Sequence, residues 1–168
     1  KQSHTNGMEA LSTGATDGLK LAANIAAMLI AFISFVAMIN FFLAFLGTSM
    51  EAIFGFIFRP LAWTMGVPWK EAGIMGMLMG EKIAFTELIA YGDLKDLLAS
   101  GQISDRTAII ASYALCGFAN FGSIGIQLGG IGGMAPERRK DLAKIVGKAM
   151  IGGALASWLT ATIAGMLI

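Results

Sequence analysis

"EAGIMGMLMGEKIAFTELIAY", residues 71 to 91, is the stretch on which the reading of this chain turns. Its first half holds an apolar run of nine residues, 72 to 80, between the charged pairs Lys70–Glu71 and Glu81–Lys82. At about 1.5 Å of rise per residue, a helix of that length covers only ~13 Å, roughly half the hydrocarbon core of a bilayer. It cannot cross. A second short piece, 83 to 91, carries one acid, Glu87, and runs into the polar "YGDLKDLLASGQISDR". Two half-length helices joined at a turn over Gly80 to Lys82 describe a re-entrant hairpin, which enters the membrane and returns on the same side. Backbone at its tip cannot face lipid unpaired, so the tip is expected inside protein or against a watery cavity.

The rest of the chain supplies the membrane context. Of 168 residues, 56% are hydrophobic and 14% charged, where soluble domains carry about a quarter charged. Residues 21 to 50, 107 to 135 and 149 to 168 hold no charge at all. Each is long enough for a span, which needs about 20 apolar residues. The expected fold is an all-α integral membrane protein. It has about three spanning helices, one re-entrant helical hairpin and an interfacial amphipathic helix.

Along the chain, residues 1–18 read as an interfacial or loop leader, with Gly14 and Gly18 breaking its regularity. Residues 19–46 form the first spanning helix, with Asn24 and Asn40 as its main polar side chains. In 47–67, Phe54, Phe56, Phe58 and Trp63 mix with Arg59 and Pro60, a composition that suits the headgroup level; this is the interfacial amphipathic segment. The re-entrant hairpin occupies 68–103, a broken spanning helix 104–135, a basic connector 136–148 and the C-terminal spanning helix 149–168. Residues 137 to 148 hold five of the twelve basic residues against two acids, and the positive-inside bias places that connector in the cytoplasm. The first residues show neither an initiator methionine nor a signal-peptide pattern, so the chain is expected to begin partway through a longer protein.

Several classes of function are excluded. A net charge of +1 gives no reason to expect nucleic acid as a partner. The single cysteine, Cys116, rules out a disulfide framework and is expected to be a small buried apolar side chain. The one histidine, His4, lies in the polar leader, so no metal-ligand cluster forms. "GGIGG" (129–133) lacks the strand-to-helix context of a dinucleotide site. No enzymatic activity, cofactor or metal site is expected.

The chemistry concentrates in two places. An ionisable side chain at membrane depth is costly and generally faces a cavity with a functional partner; Glu87 fits that description, the alternative being a structural pair with Lys82. The second place is "GFANFGSIGIQLGGIGG", 117 to 133, with glycine at seven positions. Gly125, Gly129 and Gly133, four apart, favour close helix packing. The earlier glycines favour unwinding near Asn120, which exposes backbone dipoles to a ligand. Asn120 and Ser123 lie three apart and would share a helix face. Gln127 continues that face, and Phe118 sits just before it. A carboxylate, an amide, a hydroxyl and an aromatic face together suit a polyhydroxylated, uncharged solute; the alternative is that Asn120 and Ser123 only bridge helices. The stripe Gly153, Ser157, Ala161 and Gly165 in the last span is read as packing.

With these residues in view, the chain resembles the C-terminal half of the concentrative nucleoside transporter family. That family's signature is Gly or Ala, any residue, Lys, three residues, then Asn-Glu-Phe-Val-Ala and an aromatic or Met; here it reads "GEKIAFTELIAY", Gly80 to Tyr91. "GFANFGSIGIQLGGIGGMAPERR", Gly117 to Arg139, and "GATDGLKLAANIAAMLIAF", 14 to 32, match two further blocks in order. The resemblance implies a homotrimeric, all-helical symporter in the cell membrane, the bacterial inner membrane in a bacterium, moving nucleosides such as uridine inward with Na+ or H+. It implies that Glu87, Asn120 and Ser123 bind the ribose, that Phe118 lies near the ligand, and that Thr86 and Gln127 support the site. Thr86 replaces the signature's Asn, and Leu88-Ile89 its Phe-Val. The family's Gln-Thr-Glu hairpin for the nucleobase and most of its sodium site belong to an N-terminal half, upstream of Lys1. The rival readings are a carrier of another polar metabolite and a non-transporting structural membrane module.

Overall fold

The computed structural model describes residues 6–168; His4 and the rest of the first five residues lie outside the described residues. Seven α-helices and one 3-10 turn account for the described architecture, with no strand among them. The all-helical expectation is met.

α1 (Gly7–Ala44) starts where the Asn6 side chain accepts the Glu9 backbone N–H at 2.8 Å. It runs 38 residues without interruption. Gly14 and Gly18 therefore do not break the leader: leader and first span are one rod of about 57 Å. A glycine inside a helix costs only about 1 kcal/mol, less than leaving the backbone groups of a broken turn unpaired. At its far end Asn40 stitches α1 to the next helix, accepting the Met50 N–H and donating to Glu51, both at 2.8 Å.

α2 (Met50–Thr64) packs most extensively against α3 (Ala72–Ala84). Glycine sets their separation: a Cβ on Gly76 would stand 2.7 Å from the Gly55 carbonyl oxygen. Such a contact forbids any side chain there. Trp63, Trp69 and Arg59 gather at the end of α2, with the guanidinium 4.4 Å over the Trp69 ring.

α3 and α4 (Glu87–Ala99) have 13 residues each, about 20 Å. Their turn is not at Gly80 to Lys82. Those three residues lie inside α3 and are buried, and the chain turns instead at Phe85–Thr86, outside both helices. Charge marks a turn only when it must reach water, and Lys82 finds protein acceptors instead. At the other end of the hairpin, Glu71, just before α3, accepts from the backbone N–H and the hydroxyl of Ser104 at 3.0 and 2.9 Å. Ser104 is the N-cap of α5 (Asp105–Leu115). The two feet of the hairpin are thus tied together.

Between α5 and α6 (Phe121–Met134) the chain leaves the helix for residues 116 to 120. With 11 and 14 residues, the two pieces rise about 16 and 21 Å, so neither crosses a hydrocarbon core alone. A 3-10 turn, Pro136–Arg138, leads into α7 (Arg139–Leu167). The basic stretch 136–148 is consequently not a free connector but the opening turns of α7. Among the described residues, Pro136–Leu167 is the one helical run long and apolar enough to cross by itself.

α7 has two faces at four-residue spacing. Ile151, Leu155, Leu159 and Ile163 are exposed. Ser157, Ala161 and Gly165 turn inward, where Ser157 meets Lys82 and Gly165 meets Met65, while the exposed Gly153 borders Ala119. Small residues let α7 approach the break between α5 and α6, and that approach shapes the site.

Candidate solute-binding site

Two interruptions meet in this fold, the hairpin tip and the α5–α6 break. Each contributes one helix that ends there and one that begins. α3 and α5 end at Ala84 and Leu115; α4 and α6 begin at Glu87 and Phe121. Helix starts carry partial positive charge and helix ends partial negative charge. The ionic side chains follow that pattern. Glu87 is the first residue of α4, and Lys82 serves the end of α5.

Lys82 is fully buried. Its Nζ donates to the Ala114 carbonyl at 3.0 Å and to the Ser157 hydroxyl at 3.2 Å. The Ala114 carbonyl belongs to the last turn of α5, where no helical N–H follows to pair with it. The cation takes that place. Lys82 is not the ion-pair partner of Glu87: the two ion pairs among the described residues are Lys20–Asp17 and Arg138–Asp141.

Glu87, half-buried, instead meets the other break. Its Oε2 accepts from the Asn120 side-chain amide at 3.3 Å. Asn120 is the N-cap of α6, with extended backbone. Its Oδ1 accepts the Ser123 N–H at 2.7 Å, which leaves one amide hydrogen uncommitted. The Asn120 N–H in turn donates to the Ser123 hydroxyl at 3.3 Å, and that hydroxyl donates back to the Asn120 carbonyl at 2.6 Å. The two residues form a capping box around the first turn of α6.

Geometry therefore brings Glu87 and Asn120 together and gives Ser123 a different station. Ser123 is fully buried, its hydroxyl engaged with the Asn120 backbone as both donor and acceptor. Asn120 does not share a helix face with it, because the helix begins only after Asn120. Phe118 lies on the break with its side chain half-exposed. Thr86 is the N-cap of α4, and its hydroxyl does not cap the helix. Gln127 is set apart, lining a cavity of about 180 Å3 with Leu142, Ile145 and Val146 of α7. Cys116 is exposed, contrary to expectation: it is the residue at which the chain swings out of α5, with ψ of 125°.

The break is fixed by Gly117. Its φ is +120°, and a Cβ there would stand 2.8 Å from Ser157 Oγ. Any other residue would meet both obstacles. Sequence reasoning missed Lys82 as the keystone beside this glycine, since a backbone acceptor such as the Ala114 carbonyl leaves no mark in residue types. It also missed Tyr91, whose hydroxyl donates to the Ser112 carbonyl at 2.6 Å and ties α4 to α5.

Chemically, the meeting point offers a carboxylate with one oxygen held by a single long hydrogen bond, an amide hydrogen beside it, two helix N-termini and an accessible aromatic ring. Such a set accepts and donates to neighbouring hydroxyls on a neutral solute.

Comparison with known proteins agrees on the family. Residues 1–165 match the family described as Na+ dependent nucleoside transporter, C-terminus. The nucleoside permease NupC of Helicobacter pylori is 37% identical over 177 residues, which is 99% of this chain and 42% of NupC. Sodium/nucleoside cotransporter 1 of Mus musculus is 42% identical over 182 residues, covering 96% of this chain and 28% of that protein. In three dimensions the chain is similar to the transporter CNTnw, in a variant held in its intermediate 2 state, with a TM-score of 0.89 at 42% identity over 99% of this chain and 43% of that one. The chain thus spans less than half the length of the relatives it matches, all of them transporters and none an enzyme. It belongs to the Na+ dependent nucleoside transporter family, whose C-terminal part it represents.

Proposed function

We propose that this chain is the ribose-binding half of a nucleoside:cation symporter of the cytoplasmic membrane. The observation that carries the reading is the 3.3 Å hydrogen bond between Glu87 and Asn120 across the two interruptions. It sets an ionised acceptor and an amide donor side by side. The adjacent hydroxyls of a ribose match that pair: one donates to the free oxygen of Glu87, the other accepts the remaining Asn120 hydrogen. Phe118 supplies an apolar face beside the sugar. Ser123 acts by holding Asn120 in place, and Thr86 and Gln127 are supporting residues. Coupling is to Na+, as the names of the family and of the mouse relative state for those proteins; a proton is the alternative cation.

The packing supports a reading in which transport proceeds by alternating access. α3 and α4, tied at their feet by Glu71 and Ser104, form one body with α2, α5, α6 and α7. α1 touches that body through α2 and α6. Its end bears a cluster of exposed rings, Phe41 against Phe42 and Phe45 at 5.7 and 5.3 Å, suited to lipid or to another subunit of a homotrimer. The hairpin body moves past this rod with the solute bound. The nucleobase contacts and most of the sodium site would come from the N-terminal half of the same transporter.

The test is uridine uptake by the full-length protein in proteoliposomes. Glu87→Gln abolishes uptake while expression and subunit assembly persist. Wild-type uptake competed by sugars or amino acids but not by uridine would instead assign another polar metabolite. A Glu87→Gln protein that fails to assemble would favour a structural role.

A further inference from the structure

A cavity of about 460 Å3 lies between α1 and α6, apart from the solute site. α1 lines it with Asp17, Lys20, Leu21 and Asn24, whose spacings of three and four residues put them on one helix face. α6 lines it with Gly129 and Gly130. Gly129 is expected from its spacing to pack against another helix, yet a Cβ there would meet nothing within 4 Å among the described residues. A Cβ on Gly130 would reach Leu21 Cδ1 at an ordinary 3.7 Å. Each glycine costs about 1 kcal/mol of helix stability relative to alanine, and neither is required by a close approach. What the pair leaves is open space beside polar side chains.

Those side chains are loosely held. Lys20 and Asp17 form an ion pair at 3.6 Å, with the two side chains 71% and 67% exposed. An exposed pair of this kind contributes little and opens readily. The Asn24 amide has no hydrogen-bond partner among the described residues. Just past the cavity, the Arg139 side chain lies over Gly132, where a Cβ would stand 3.3 Å from its Cγ, about one turn along α6 from Gly129. The depth of the cavity follows from the sequence. Lys20 is the last charge before the uncharged run 21 to 50, so the cavity sits where the span begins, at the level of lipid headgroups.

We propose that this cavity binds the headgroup of a zwitterionic aminophospholipid, phosphatidylethanolamine, from the adjoining leaflet. Asp17 accepts hydrogen bonds from the primary ammonium, and Lys20 and the Asn24 amide donate to the phosphate. The acyl chains lie along the uncharged surface of α1 beyond residue 21. A negative and a positive side chain side by side match the ammonium and phosphate of one headgroup, so binding exchanges a single loose ion pair for two charge-assisted contacts. An apolar helix from the rest of the transporter is a poorer occupant, because it would take both charges out of water and offer neither a partner. The headgroup chemistry also sets the specificity. A choline headgroup has no N–H for Asp17, and a glycerol headgroup has no cation.

The experiment titrates the full-length protein in detergent, by calorimetry, with short-chain phosphatidylethanolamine, phosphatidylcholine and phosphatidylglycerol, and with free phosphoethanolamine. The wild type is expected to bind phosphatidylethanolamine at least about tenfold more tightly than the other three. Lys20→Glu, which removes the cation, and Gly129→Leu, which fills the space from a position where a side chain meets nothing, should each abolish that preference. Uridine affinity should stay within about twofold in both variants, which separates the lipid site from the solute site. Gly129→Leu keeps the test open if Lys20→Glu does not assemble. Equal affinity for the three lipids, or a preference unaltered in both variants, would overturn the inference. Tighter binding of phosphatidylglycerol would overturn it too, by making the region a general basic surface. Phosphoethanolamine binding as tightly as the lipid would do the same, by making the ligand a soluble phosphate ester.

Discussion

The hairpin has a carboxylate at each end, and the two are treated in opposite ways. At the feet, Glu71 is doubly held: the backbone N–H and hydroxyl of Ser104 both donate to its Oε2. Burial alone would raise its carboxyl, but these donors outweigh burial and hold it below the usual carboxylate range. At the tip, Glu87 accepts one hydrogen bond, at 3.3 Å, from Asn120. Both acids link the hairpin to the N-cap residue of a later helix, Ser104 of α5 in one case and Asn120 of α6 in the other. The difference lies in what remains unsatisfied. A carboxylate held by two short hydrogen bonds fastens structure; one held by a single long bond has kept capacity for something that arrives later.

Breaking that comparison calls for the same substitution at both ends. Glu87→Gln should have the largest effect on solute binding. A hydrogen bond to a charged group contributes about 1.5–3 kcal/mol, so uridine affinity should fall roughly ten- to a hundredfold by calorimetry, with a small change in thermal stability. Gly117→Ala should come next, acting on stability. Its φ of +120° and the 2.8 Å approach to Ser157 Oγ make about 1–3 kcal/mol of strain unavoidable, seen as a lower unfolding midpoint in detergent. Lys82→Met should cost a comparable or smaller amount, about 1–3 kcal/mol, because it strands the Ala114 carbonyl. Ser123→Ala should remove about 1 kcal/mol of helix capping and weaken uridine binding much less than Glu87→Gln, since its hydroxyl is already engaged.

Glu71→Gln should have the smallest effect, and its signature is the pH dependence. A carboxyl held low in the folded state stabilises fully above its unfolded value, about 4.3, and its contribution fades as pH falls through the folded value. The wild type should therefore lose stability on acidification below about pH 4.3, and Glu71→Gln should lose less of it. Uridine affinity should stay unchanged. A Glu71 variant that lost affinity as Glu87→Gln does would erase the distinction between the two ends.

Much of this arrangement is legible in the residues. The hairpin follows from an apolar run too short to cross, and the break near Asn120 from glycine at 117, 122 and 125. The partnership of Glu87 with Asn120 follows from the family resemblance, which aligns both with a ribose site. What was misread shares one physical cause: backbone groups compete for side chains, and backbone is the same in every sequence. A charged pair ending an apolar run points to a turn at Gly80 to Lys82, but the end of α5 offers the lysine a carbonyl. Asn120 and Ser123, three apart, would share a helix face, yet Asn120 stands just outside the helix and takes Ser123 as its capping partner. Gly14 and Gly18 were read as breaks, but a long ladder of hydrogen bonds outweighs two glycines. Cys116 was read as buried from its apolar neighbours, although it sits where α5 stops.

In the proposed site the open oxygen of Glu87 receives a sugar hydroxyl. The direct measurement is calorimetric binding of uridine and of 2′,3′-dideoxyuridine to the full-length wild type and to its Glu87→Gln variant. The wild type is expected to prefer uridine by roughly ten- to a hundredfold, and the variant to lose most of that preference. A variant that discriminates between the two ligands as well as the wild type would contradict it.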